Sequence, residues 1–187
     1  MAVLSVGEPW SAAEARDWVA EALAPCKWVH VAPLLRGEFD AEVLAEIARN
    51  RFVSLDGQGL VRLPQTGPLA LDPDFDQELL RHVQVLKLAQ EEAEVMLSEI
   101  SVKALAKLAV PEVIVTRGSR GAFVYSDGKL TELPARSAVS NVDTTGAGDE
   151  FAAIYIAARS RGRAPVASAR IARSFVSALL NSRLPIS

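Results

Sequence analysis

Asp143-Thr144-Thr145-Gly146-Ala147-Gly148-Asp149 runs directly into the apolar stretch Glu150-Phe-Ala-Ala-Ile-Tyr-Ile-Ala-Ala158, and the junction reads as a glycine turn opening a helix. A Gly-Ala-Gly turn lets the backbone approach a ligand with no side chain in the way. The helix behind it offers unpaired N–H groups and the positive end of its dipole. Anions bind at such junctions. The carboxylate of Asp149 stands at the same place, where it repels a phosphate unless it takes a proton from an attacking hydroxyl. The alternative is a plain glycine-rich helix start, with Asp149 as a first-turn residue favoured by the dipole.

A second glycine segment, Val115-Thr116-Arg117-Gly118-Ser119-Arg120-Gly121, follows a predicted strand. Ligands of open α/β sheets gather at the C-terminal ends of strands, where Thr116, Gly118 and Gly121 offer donors to phosphate oxygens. The competing reading is a tight turn leading into a hairpin. A third segment, Lys87-Leu-Ala-Gln-Glu91-Glu92-Ala-Glu94, lies at a strand-to-helix junction. Carboxylates there either hold water-coordinated Mg²⁺ or form a solvated acidic first turn. The chain has no Gly-x-x-x-x-Gly-Lys-Ser/Thr run, and no Gly-x-Gly-x-x-Gly with a suitably spaced acid, which argues against a Walker-type ATPase and a dinucleotide dehydrogenase.

Around these segments strands and helices alternate. Strands are predicted at Val3–Val6, Trp28–Ala32, Phe52–Leu55, Val85–Lys87 and Val113–Val115. Ser11-Ala-Ala-Glu14 is a capping box opening a helix to about Leu23, and Phe39–Asn50 has helical spacing. Helices are also expected at Asp74–His82, Gln90–Leu97 and Val102–Leu108, with Gly57–Pro73 as a mobile or site-covering loop or, alternatively, an ordinary surface connection. Ala122–Ser126 and Lys129–Leu133 flank Asp127-Gly128, a hairpin turn. Two helices end the chain: Phe151, Ile154, Tyr155 and Ala158 share one face of the first, stopped by Gly162, and Ile171, Phe175 and Ala178 form the stripe of the second, started by Pro165. The pattern predicts an α/β fold, a mostly parallel sheet flanked by helices with a β-hairpin at one edge.

With 187 residues, half of them hydrophobic, the chain is expected to form a single domain over residues 1–187. The net charge of −3 and the lack of basic runs interleaved with aromatics argue against a nucleic-acid partner. No apolar run reaches the length of a membrane span and no secretory signal is legible, so the expected location is cytoplasmic. Cys26 is the only cysteine, expected in the core. His30 and His82 read as structural, and Trp10, Trp18 and Trp28 as packing residues. Arg117 and Arg120 are either phosphate contacts or solvated loop cations.

These segments together resemble the ribokinase-like or PfkB carbohydrate kinases. That family's signature Asp-Thr-x-Gly-Ala-Gly-Asp-x-Phe is matched at every fixed position by Asp143–Phe151, its Thr-x-Gly-x-x-Gly segment by Thr116, Gly118 and Gly121, and its Lys-x-Asn-x-x-Glu segment by Lys87 and Glu92. Ala89 stands where the asparagine would be. Asp56-Gly-Gln58-Gly59 weakly resembles the family's acidic segment near the reaction centre. The resemblance implies Asp149 as catalytic base, with backbone N–H groups of Gly146, Ala147 and Gly148 forming the anion hole. It also implies Thr116, Gly118, Gly121, Thr144 and Lys87 on the ATP phosphates, and Glu92 organising Mg²⁺.

The motif resemblance starts near residue 27, and no counterpart of the family's Gly-Gly sugar-binding segment and small β lid is legible ahead of it. The expectation is an N-terminally incomplete kinase, its cofactors ATP and Mg²⁺ and its acceptor a small sugar or polyol. With the acceptor site incomplete, apolar residues near the N-terminus form an exposed patch that favours a homo-oligomer. The alternatives are a nucleotide-binding remnant without kinase activity and an α/β interaction module with no nucleotide.

Overall fold

In a computed structural model, which describes residues 2–136 and 143–183, the described chain forms eight strands. They are β1 (Ala2–Val3), β2 (Trp28–Val31), β3 (Phe52–Asp56), β4 (Gly67–Pro68), β5 (Val85–Ala89), β6 (Glu112–Thr116), β7 (Ala122–Ser126) and β8 (Lys129–Leu133). β1 and β4 pair with each other, and the other six form one sheet in the order β2-β3-β5-β6-β7-β8. β2, β3, β5 and β6 run parallel, and the β7–β8 hairpin adds an antiparallel edge. Asp127 and Gly128 at the hairpin tip both have positive φ, 49° and 69°, the backbone twist a two-residue hairpin turn requires.

The central strands are apolar on both faces because helices cover both. Val113 and Val115 enter one core while Ile114 enters the other, following the two-residue period of a strand. The first core takes Val43, Leu44 and Ile47 from the helix Ala41–Ile47, Ala93 from Gln90–Met96 and Leu105 from Val102–Ala106. The second is closed by Phe151, Tyr155 and Ile156 of the helix Ala147–Ser160 and by Ala169 and Ala172 of Pro165–Ser182.

Local signals place most helix ends. Ser11 and Glu14 form the expected capping box, with Ser11 N–H to Glu14 Oε2 at 2.9 Å and Glu14 N–H to Ser11 Oγ at 3.2 Å. The helix that follows covers residues 12–22 and passes through a π turn at Ala15–Val19. Pro165 occupies the first turn of the final helix, and Gly162 with φ 77° follows the end of the one before.

Several expectations are corrected. The first strand is only Ala2–Val3, held to the length of its partner β4. Asp40 caps Val43 N–H at 2.8 Å and starts its helix at Ala41, leaving Phe39 outside to stack on Trp10 at 5.8 Å. Asp76 accepts Glu78 N–H at 2.9 Å, and the following turn is a 3₁₀ helix over Gln77–His82. Gly57–Pro73 is not loop throughout: it opens with Gln58–Val61, a buried helical turn where a Cβ at Gly59 would lie 2.0 Å from the Pro33 ring. On the final helix Ile171 and Phe175 are 45% and 49% exposed. The buried face is instead Ser168, Ala169 and Ala172, whose small side chains let the helix lie close to its neighbour. Trp18 is 53% exposed, tilted against Trp10 at 5.3 Å, and Cys26 is exposed in the turn after its helix, where its N–H bonds Leu23 O.

Candidate active site

The C-terminal ends of β5 and β6 meet the start of the helix Ala147–Ser160 around a cavity of about 560 Å³. Lys87, Ala89, Thr116, Gly118, Gly121, Thr144, Ala147 and Gly148 all line it. Three segments separated in sequence therefore converge, at the strand ends where an open α/β sheet binds its ligands.

Gly146 sits at the helix N-cap with φ 81° and ψ −7°, a left-handed conformation that glycine adopts without penalty. Asp143 Oδ1 accepts Thr145 N–H at 2.9 Å, and hydrogen bonds from the Thr145 side chain and this N–H, with the nearby Arg183, hold the Asp143 carboxyl below the usual carboxylate range. Arg183 donates to the carbonyls of Asp143 and Thr145 and pairs with Glu150 at 2.8 Å, pinning the end of the last helix to the turn. Ala147 N–H is donated to Thr144 O at 3.0 Å, so this member of the expected anion hole is already engaged in closing the turn. The N–H groups of Gly148 and Asp149 have no such carbonyl partner among the described residues. Asp149 is exposed in the first helical turn, and no described side chain hydrogen-bonds its carboxylate.

Lys87 is buried and pairs with fully buried Asp56 at 2.9 Å. Its ammonium reaches the turn: a Cβ on Gly148 would lie 3.1 Å from Lys87 Nζ. Glu92 is also buried, accepts Ala89 N–H at 2.8 Å and lies 3.4 Å from Arg62. Burial pushes its carboxyl above the ordinary value, against the opposing pull of the Ala89 N–H. Both Glu92 oxygens thus have partners within the fold, and among the described residues no group of three His, Cys, Asp or Glu side chains could hold a metal ion.

Thr116 donates its hydroxyl to Leu88 O at 3.2 Å. Gly118 and Gly121 have φ of 55° and 94°, and a Cβ at Gly121 would stand 2.0 Å from Leu133 O. Gly121 is therefore required by the packing of the hairpin as well as lining the cavity. Arg117 pairs with Glu132 at 2.5 Å over the Phe123 ring, while Arg120 donates to Gln90 at 2.5 Å.

The far wall is lined by Arg173, Val176, Ser177 and Leu180 of the final helix together with Arg136, none of them singled out by the sequence. The i, i+3, i+7 spacing of Arg173, Val176 and Leu180 was the available signal. His30 reads as structural from the sequence. The ring lies close enough to feel the charges of Asp56, Lys87 and Asp149; burial lowers its pKa, Nδ1 is 3.2 Å from Ser54 Oγ, and Nε2 is buried with no partner among the described residues.

Comparison with known proteins gives the family of the chain. Residues 5–186 match the pfkB family carbohydrate kinases, a match that begins well ahead of residue 27. Cytidine kinase of Thermococcus kodakarensis is 34% identical over 48% of this chain and 34% of its own length. Ribokinase of Bacillus subtilis is 31% identical over 56% of this chain and 37% of its own. A pyrophosphate-dependent kinase of the ribokinase family, complexed with a pyrophosphate analog and myo-inositol, superposes with a TM-score of 0.79 at 24% identity, over 98% of this chain and 66% of that one. Arabidopsis thaliana ribokinase, complexed with ribose and ATP, gives a TM-score of 0.66 at 21% identity, over 94% and 55%. The chain thus spans less than two thirds of the length of these relatives.

Proposed function

Because this chain belongs to the pfkB family of carbohydrate kinases, we propose that it transfers the γ-phosphoryl group of ATP to a hydroxyl of a small sugar or related polyol. The observation that carries this reading is the convergence of Lys87, Thr116, Thr144, Ala147 and Gly148 on one cavity, with Asp149 in the first turn of the helix that borders it. In the transfer, the acceptor oxygen forms a bond to the γ-phosphorus as the bond to the ADP oxygen breaks. The Asp149 carboxylate takes the hydroxyl proton. Charge developing on the phosphoryl oxygens meets the N–H groups of Gly148 and Asp149, the helix dipole and the Lys87 ammonium. Thr116, Gly118, Gly121 and Thr144 bind the remaining phosphates. Positioning supplies most of the rate.

Mg²⁺ neutralises donor phosphates when bound and keeps several of its waters, so it needs few protein ligands. Glu92 fits only a water-mediated role, since its oxygens already serve Ala89 N–H and Arg62. That engagement, with Ala89 in the motif, favours a second reading: a nucleotide-binding remnant without transfer.

A phosphoryl-transfer screen with ATP and Mg²⁺ against sugars, polyols and nucleosides separates the two. Product from a sugar or polyol supports the kinase. Stabilisation by ADP with no product from any acceptor supports the remnant, and product from nucleosides alone replaces the acceptor class.

A further inference from the structure

The Lys87 ammonium is held in a way that phosphate binding alone does not require. It lies 2.9 Å from Asp56 Oδ2, with both side chains buried. The parallel register of β3 and β5 sets Asp56 directly beside Lys87, so the two side chains leave the same face of the sheet. The second Asp56 oxygen accepts Gln58 N–H at 3.2 Å, which fixes the carboxylate. Gly57 N–H also donates to Lys87 O at 2.7 Å, tying the two backbones together at this level. On the far side, the ammonium occupies the space that Gly148 leaves by having no Cβ.

An ammonium has three donors on a flexible four-carbon stem, and holding such a stem in one rotamer costs conformational entropy. Here one hydrogen goes to Asp56, and the buried partner removes the freedom of the stem. We propose that Asp56 is the positioning residue for Lys87, holding the ammonium against the Gly148 turn so that its remaining hydrogens meet an oxygen of the donor phosphate. The proposal rests on the reading of this cavity as a phosphate site. Asp56 does not itself touch the phosphate, because its oxygens are turned to Lys87 and to Gln58 N–H.

The sign of the effect is diagnostic. Removing a carboxylate close to an anion site strengthens anion binding by electrostatics alone. A loss of affinity on removing Asp56 therefore means that Lys87 has left its station.

The test titrates the full chain and its Asp56→Asn, Lys87→Met and double variants with inorganic pyrophosphate by calorimetry. Mass spectrometry follows the acylation of Lys87 by an amine-reactive ester in the wild type and the Asp56 variant. Each single variant is expected to weaken pyrophosphate binding roughly tenfold or more, the scale of a hydrogen bond to a charged group, and the double variant to bind no more weakly than Lys87→Met. Lys87 is expected to acylate several-fold faster without Asp56. Unchanged or tighter binding in Asp56→Asn overturns the proposal, as does a loss that persists in the Lys87→Met background. A lowered denaturation midpoint with unchanged pyrophosphate affinity assigns Asp56 to the fold alone and also overturns it. Should Asp56→Asn fail to fold, Asp56→Ser carries the same comparison. A wild type that binds neither pyrophosphate nor ADP overturns the phosphate-site reading instead. In that case the acylation rate decides whether Asp56 holds Lys87, and equal rates overturn the positioning.

Discussion

Tyr155 donates its hydroxyl hydrogen to Glu112 Oε2 at 2.6 Å, joining the helix Ala147–Ser160 to the first residue of β6 at the end of the sheet opposite the Gly146–Asp149 turn. Arg159 completes the tie, with Nε 3.0 Å from Oε2 and Nη2 2.5 Å from Oε1 of the same carboxylate. Burial, reinforced by the Glu112 charge, drives the Tyr155 hydroxyl pKa upward, so it stays a donor. The helix that presents Asp149 at one end is therefore anchored at the other. Tyr155→Phe is expected to cost about 1.5–3 kcal/mol in urea denaturation. Glu112→Ala, which strips the partly buried Arg159 of its counter-charge, is expected to cost about 3–5 kcal/mol.

Gly148→Ala separates stability from binding. Alanine is better than glycine in a helix by up to about 1 kcal/mol, so the melting temperature should hold or rise. The new Cβ would stand 3.1 Å from Lys87 Nζ and push the ammonium by a few tenths of an ångström. Calorimetry should show weaker binding of ADP in this variant. Unchanged affinity would mean that Lys87 takes no part in holding the donor.

Gly121→Ala acts on the fold instead. With φ 94° and ψ −135°, and with Leu133 O 2.0 Å and Ala135 N 2.6 Å from the added Cβ, both the backbone and the hairpin resist the substitution. The expected cost is about 2–6 kcal/mol, read as a shift of the urea midpoint at constant slope.

Asp149→Asn keeps the shape of the turn and removes the proton acceptor. In an active preparation, turnover should fall about 10²–10⁴-fold while ADP affinity is largely kept. Equal turnover would remove Asp149 from the role of base.

His30 links stability to acidity. Burial lowers its pKa from the ordinary 6.5, so the unfolded chain takes up this proton first as pH falls. The stability from keeping the ring neutral is fully present above pH 6.5 and is lost as pH falls toward the lowered folded value. His30→Asn should flatten that part of a denaturation midpoint against pH curve. An identical slope in the variant would show that the imidazole does not titrate differently in the two states.

Elements governed by local rules were legible in the residues. Ser11 with Glu14 and Pro165 each placed a helix start, Gly162 a helix end, and Asp127-Gly128 the hairpin, because a cap or a tight turn depends on a few neighbouring residues. What failed depended on packing. Ile171 and Phe175 share a helical stripe yet face solvent, because the small face of Ser168, Ala169 and Ala172 approaches the neighbouring helix more closely. The segment after Gly57 reads as a loop, but Gly59 is the one residue type that fits against Pro33.

The candidate site divides along the same line. Asp143–Asp149, Thr116, Gly118 and Gly121, and Lys87 with Glu92 were recognisable as motifs, because phosphate chemistry demands particular residue types at short spacing. The meeting of Lys87, Thr116, Gly118, Gly121, Thr144, Ala147 and Gly148 at one cavity, the pairing of Lys87 with Asp56, the engagement of Glu92 and Ala147, and the place of His30 beside them came from strand register and burial. Those relationships span tens of residues, and no local pattern encodes which side chains the folded sheet sets side by side.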